Sequence, residues 1–254
     1  MNNSPFVWYE LMTTDLPAAT RFYSGVLGWE TQDAGMPFPY TLVSAAGRQL
    51  AGLMTLPADA AQAGAVPVWS GYVAVSNCDA AVAKAQASGA KVCAPAQDIP
   101  GVGRFATLAD PQGAVFVAFQ DNGSSAPEPS APTAPGTVGW HELITQDSEK
   151  ALAWYSNQFG WTASDAMDMG EMGMYRMFAT GGTPAGGMMN RPPEMPFSVW
   201  MYYFNVQAID AAISRVVAGG GKIVLGPMEV PGGSWVVNAT DPQGVTFALV
   251  APQR

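Results

Sequence analysis

Trp8-Tyr9-Glu10-Leu11-Met12-Thr13-Thr14-Asp15 returns 132 positions later as Trp140-His141-Glu142-Leu143-Ile144-Thr145-Gln146-Asp147. Trp, Glu, Leu, Thr and Asp keep their places. Phe22-Tyr23 then answers to Trp154-Tyr155, and Leu27-Gly28-Trp29 to Phe159-Gly160-Trp161. After a small length change Ala51-Gly52 aligns on Ala185-Gly186. Farther on the offset settles at 131: Trp69 on Trp200, Tyr72 on Tyr203, Asp79 on Asp210, Lys91 on Lys222, and Asp110-Pro111-Gln112-Gly113 on Asp241-Pro242-Gln243-Gly244. One register held over about 110 residues marks an internal duplication. Residues 1–120 and 138–254 form the two modules. Residues 121–137 between them are Pro-, Ser- and Ala-rich, without a large apolar side chain, and read as a linker. At about 3.1 Å per residue that linker would reach about 50 Å.

Each module alternates strand and helix patterns. Residues 6–12 place Phe6, Trp8, Glu10 and Met12 on one side and Val7, Tyr9 and Leu11 on the other. Thr14 or Asp15 suits a helix N-cap, Pro17 suits the first turn, and Gly28 ends the helix. Inside it Ala19, Phe22, Tyr23 and Val26 recur at helical spacing. Strand patterns follow near 30–33, 40–44 and 50–56. The order repeats with a strand at 69–75, a helix at 79–88 stopped by Gly89, and strands near 92, 105–108 and 114–119. A module is thus two βαβββ units, and the fold class is α+β. Asp-Pro-Gln-Gly before the last strand is a turn.

Composition excludes several classes of function. The net charge is −9 and charged residues are only 12% of the chain, so no basic stripe exists to grip a phosphate backbone. No apolar run approaches the roughly 20 residues of a membrane helix. The N-terminal residues lack a basic stretch followed by an apolar one, so a cytoplasmic location is expected. Cys78 and Cys93 read as two reduced thiols, Cys93 a buried one.

Two βαβββ units per module, Phe-Tyr before Leu-Gly-Trp, and Asp-Pro-Gln-Gly before a final strand together resemble the vicinal oxygen chelate superfamily. Its members include glyoxalase I, bleomycin-resistance proteins and extradiol dioxygenases. The resemblance covers both modules. It implies an open, cup-shaped mixed sheet with helices outside. It also implies metal ligands on the first, fifth and last strands of a module. Those positions fall on Trp8 and Trp140, Ser70 and Met201, and Val117 and Ala248. Indole has no lone pair to give, and Val and Ala have no ligand atom. The chain has one His, His141, against the three or so ligands a catalytic metal needs. No metal or other cofactor is therefore expected.

Glu10 and Glu142 share a side with Trp8 and Trp140, into the cup, and are the candidate acid–base groups. The plainer reading is a structural carboxylate, hydrogen-bonded to backbone or paired with Arg104 or Arg176. Trp8, Trp140, Tyr72, Tyr203, Met12 and Met201 are the candidate ligand-binding residues, with core filling as their alternative. The methionines crowding 167–201 suit either a plastic pocket or ordinary packing. His141 is expected to face the helices, with Tyr9 as its counterpart.

Three functions follow. The first is a metal-independent protein of the bleomycin-resistance type that binds an apolar or aromatic small molecule. The second is a metal-free isomerase, lyase or hydroxylase-like enzyme working through Glu10 or Glu142. The third is a divalent-metal lyase or dioxygenase with unconventional ligands, such as Glu10 with Glu142. The partner is a small molecule, without nucleic acid or membrane. The chain would act as a monomer of two paired modules or as a homodimer.

Overall fold

Asp15 opens the first helix by accepting a hydrogen bond from the Ala18 N–H at 2.9 Å, and Asp147 opens its repeat by accepting from Lys150 N–H at 3.0 Å. Gly28 and Gly160 close the two helices at φ 72° and 73°, a left-handed conformation that needs no Cβ. A computed structural model describes residues 4–123 and 133–254. The expected linker residues 124–132 lie outside the described residues.

The first repeat runs β1 (Phe6–Thr13), α1 (Leu16–Leu27), β2 (Glu30–Asp33), β3 (Tyr40–Ala45), β4 (Arg48–Thr55), α2 (Ala58–Gln62), β5 (Val68–Ala74), α3 (Cys78–Ala87), β6 (Lys91–Ile99), β7 (Gly103–Ala109) and β8 (Val115–Asp121). The second runs β9 (Val138–Thr145), α4 (Ser148–Phe159), β10 (Thr162–Asp168), a short 3-10 turn at Gly170–Met172, β11 (Met174–Thr180), β12 (Thr183–Asn190), β13 (Val199–Asn205), α5 (Ile209–Ala218), β14 (Lys222–Glu229), β15 (Trp235–Thr240) and β16 (Thr246–Ala251). Each repeat contributes one eight-stranded mixed sheet, in the orders β2-β3-β4-β1-β5-β8-β7-β6 and β10-β11-β12-β9-β13-β16-β15-β14. The βαβββ reading and the α+β class hold. The sequence pattern did not show α2.

The chain folds as two compact units, and each draws on both repeats. Of the described residues, one takes in 4–8, 70–123 and 140–200; the other takes in 9–69, 133–139 and 201–254. In the second unit Tyr23, Trp29 and Trp69 of the first repeat pack on Phe204 and Phe247 of the second, with ring centroids 5.2–5.4 Å apart in the closest cross-repeat pairs. In the first unit Tyr155, Trp161 and Trp200 pack on Phe116 and Phe6, at 5.3–5.8 Å. Such large rings each remove a large apolar area from water.

A hydrogen-bonded relay runs through each core. Trp69 Nε1 donates to Tyr23 Oη at 3.0 Å, and Tyr23 donates to Asp241 Oδ2 at 3.2 Å. Its counterpart runs from Trp200 to Tyr155 at 2.9 Å and on to Asp110 Oδ2 at 3.1 Å. The other carboxylate oxygen accepts from turn N–H groups, those of Gln112 and Ala114 on Asp110 and of Gln243 and Val245 on Asp241. The Asp-Pro-Gln-Gly aspartates are thus structural. Each ties the turn of one repeat to the helix of the other. Burial pushes both carboxyls above the usual range, and the backbone donors oppose that shift. Cys78 is buried. Cys93 instead faces solvent, because β6 is an edge strand that exposes alternate residues.

Candidate functional site

Strand register gathers the candidate residues. In the second unit β1 pairs in parallel with β4, which sets Glu10 opposite Gly52 and Met12 opposite Met54. β3 then sets Leu42 opposite Gly52 and Tyr40 opposite Met54. Paired residues share a face, so Glu10, Met12, Tyr40, Leu42 and Met54 lie together. The first unit repeats the arrangement. Glu142 faces Gly187, Ile144 faces Met189, Met177 faces Gly187, and Tyr175 faces Met167 across the next pair.

The glycines are forced by the tyrosines. A Cβ on Gly52 would lie 1.9 Å from Tyr40 Oη, and one on Gly187 would lie 2.2 Å from the Tyr175 ring. Each ring therefore lies flat over a strand with no side chain and carries its hydroxyl to the neighbouring carboxylate. Tyr40 donates to Glu10 Oε2 at 3.0 Å. Tyr175 hydrogen-bonds Glu142 and accepts from Trp140 Nε1 at 2.7 Å. Burial, and after it the Glu142 charge, holds the Tyr175 phenol well above its ordinary pKa, so it acts as a donor. Glu142 is buried, while Glu10, Trp140 and both tyrosines are half-buried.

This pairing corrects two sequence expectations. Register matches Gly52 to Gly187 and Ala51 to Gly186, one residue away from the sequence alignment. The expected arginine partners are also occupied elsewhere. Arg104 binds Asp79 and Asp98 at 2.9 Å, and Arg176 binds Ser148 and Glu149. Arg176 stands next to Tyr175 on β11, so alternation turns it to the other face.

Tyr40, Tyr175, Gly52, Gly187 and Met54 were missed in the sequence. The signal is there: each tyrosine precedes its glycine by 12 residues. Three residues added in the second repeat around the turn at Gly170–Met172, and four added in the first around α2, hide it from a fixed offset.

The other candidates are placed as follows. Trp8 and Met12 are half-buried. Tyr72 is buried against Phe105 and Phe119, at 6.3 and 6.0 Å. Met201 and Tyr203 are buried in the second unit. Of the methionines of the second repeat, Met188 is buried, Met172 and Met174 are exposed, and Met167, Met177 and Met189 are half-buried. Glu10 and Glu142 fall in different units. His141 pairs with Gly186 on β12 and faces away from Glu142. It stacks on Phe6 with centroids 4.2 Å apart, and its Nδ1 donates to Ala185 O at 2.6 Å. Burial pushes its pKa down to about 4, so it is a neutral, packed imidazole at pH 7. Tyr9, its counterpart, packs edge-on to Tyr202.

Comparison with known proteins fixes the family. Residues 137–249 match the family described as Glyoxalase/Bleomycin resistance protein/Dioxygenase superfamily, and residues 8–119 match a glyoxalase-like domain. CFP32 of Mycobacterium bovis, provisionally named a glyoxylase, is 33% identical over 96% of this chain and 94% of its own length. The chain belongs to the glyoxalase/bleomycin resistance protein/dioxygenase superfamily. The anthracycline biosynthesis protein DauV of Streptomyces sp. is 28% identical, over 96% of this chain and 91% of its own. The Mn(II)-bound glyoxalase of Novosphingobium aromaticivorans shares the fold, with a TM-score of 0.65 at 17% identity over 98% of this chain and 83% of that one.

The residues of this chain do not fit a divalent metal of that kind. The implied ligand positions carry Trp8, Trp140, Ser70, Met201, Val117 and Ala248. Among the described residues no three of His, Cys, Asp and Glu gather where they could hold an ion. No helix among them is long and apolar enough to cross a membrane.

Proposed function

We propose that this protein binds an apolar or aromatic small molecule without a metal, on the sheet faces that carry Glu10 and Glu142. The observation that carries this reading is the repeated pairing of one carboxylate with one tyrosine hydroxyl among methionine, leucine and isoleucine. A polar group fixed by hydrogen bonds within an apolar surface is the usual composition of a small-molecule site. Methionine adapts its shape to irregular ligands and favours aromatic contacts. The biosynthetic name of the Streptomyces relative is consistent with a polycyclic aromatic ligand. Quenching of tryptophan fluorescence by a panel of polycyclic aromatics tests the reading, with calorimetry on each hit. Saturable binding that weakens in Glu10→Gln or Glu142→Gln supports it. A panel without one saturable ligand refutes it.

A second reading uses the same carboxylates as general bases in a metal-free reaction. The Tyr40 bond to Glu10 favours it, since it holds the carboxylate in one orientation and a general base must be positioned. Turnover of a bound compound that stops in the Glu→Gln variants would separate it from plain binding.

A further inference from the structure

We infer that the first repeat carries a binding site for a guanidinium group on the helix side of its sheet. The site is separate from the face that carries Glu10 and does not rest on the function proposed for it. The two repeats, compared with each other, point to it. In the second repeat Arg176 leaves β11 on the face opposite Tyr175 and reaches the first turn of α4. There its Nη1 donates to Ser148 Oγ at 3.0 Å and its Nη2 to Glu149 Oε2 at 3.2 Å. Tyr40 matches Tyr175, so Thr41 stands where Arg176 stands. Leu16 and Pro17 stand where Ser148 and Glu149 stand. The first repeat thus lacks the guanidinium and both of its partners. In their place is a cavity of about 220 Å³ between α1 and the β2–β3 pair, with Leu16, Thr20, Thr31, Gln32, Asp33 and Thr41 in its wall.

The wall is equipped for the group that is missing. β2 sets Asp33 opposite Thr41, where the second repeat has Ala166 opposite Arg176. A carboxylate has appeared on the strand where the helix has lost one. Thr31 and Thr20 take the positions of Ala163 and Leu152, so hydroxyls replace apolar groups. None of the lining residues is basic. A guanidinium presents five N–H donors in a rigid plane, which can span a carboxylate and neighbouring hydroxyls together. An ammonium is a compact point charge and lacks that span. Arg176 also shows that the positive end of a helix accepts the charge when carboxylates flank it. Asp147 and Glu149 do so at α4, and Asp15 and Asp33 stand by the same end of α1.

Amide-resolved NMR titration of the full chain with methylguanidinium, and with methylurea as its uncharged counterpart, tests the site. Methylguanidinium is expected to saturate with a Kd of ~1–10 mM and to shift the amides of Thr31, Asp33 and Thr41. Methylurea should bind at least ~10-fold more weakly, since a charge-assisted hydrogen bond is about twice as strong as a neutral one. N-acetyl-arginine amide offers the same group from a peptide side chain. The same shifts with it extend the site to arginine side chains, and shifts with methylguanidinium alone confine it to free guanidines. Asp33→Asn can keep the turn bond from Gly35 N–H and should weaken binding at least ~10-fold. Leu16→Ser with Thr41→Arg builds the arrangement of the second repeat into the first and should abolish binding. Glu10→Gln should leave it unchanged. Amide shifts that stay in place outside the site show that each variant folds. No saturable shift at those three amides, an equal response to methylurea, or undiminished binding in Asp33→Asn overturns the inference.

Discussion

His141 shows how one residue's surroundings decide its role. As the only histidine in the chain it is the obvious candidate for chemistry. Strand alternation turns it from the carboxylate face into contact with Phe6, and burial keeps it neutral. A histidine held down to about 4 when folded, against an ordinary 6.5, binds its proton in the unfolded chain first. Its contribution is fully present above pH 6.5 and falls as pH drops through the window from 6.5 to 4. The loss attributable to it is about 3 kcal/mol. Urea unfolding at pH 7 and at pH 4.5 measures this. The wild-type chain should lose more stability between the two than His141→Gln does, and equal losses would assign the acid sensitivity to other groups. Asp110 and Asp241 shift in the opposite sense, and both chains share them. That Glu142 and His141 lie on opposite faces of β9 follows from alternation alone. The tyrosine that meets each carboxylate was not legible that way, because that contact depends on two neighbouring strands and a glycine between them.

At the scale of elements, the helix caps, the stops at Gly28 and Gly160 and the turn before each last strand all follow from local sequence, since each is satisfied within a few residues. The relays from Trp69 to Asp241 and from Trp200 to Asp110 are not local. Their ends lie far apart in the chain and in different repeats, so no periodicity announces them. Tyr155→Phe removes one hydroxyl and leaves two buried groups, the Trp200 N–H and Asp110 Oδ2, each short of a partner. The expected cost is about 2–3 kcal/mol, the larger because both groups stay buried. Denaturant titration reads it directly. In a double-mutant cycle Tyr155→Phe with Asp110→Ala should show a coupling of about 1 kcal/mol. Strict additivity would mean that the turn and the helix are held by packing alone.

For the whole molecule, the duplication was plain in the sequence and its consequence was not. Two copies of a module suggest two separate bodies, yet each compact unit takes strands from both repeats. Divergence after duplication left the carboxylate, tyrosine and glycine in both copies and changed Leu42 to Met177 and Met12 to Ile144 around them. Retention of the same polar pair on both faces is the feature on which the functional account turns. Its most direct test is calorimetric titration of the full chain with 2-naphthol, once in excess chelator and once with added Mn(II). The account predicts the same affinity in both. Binding that appears only with the metal would contradict it.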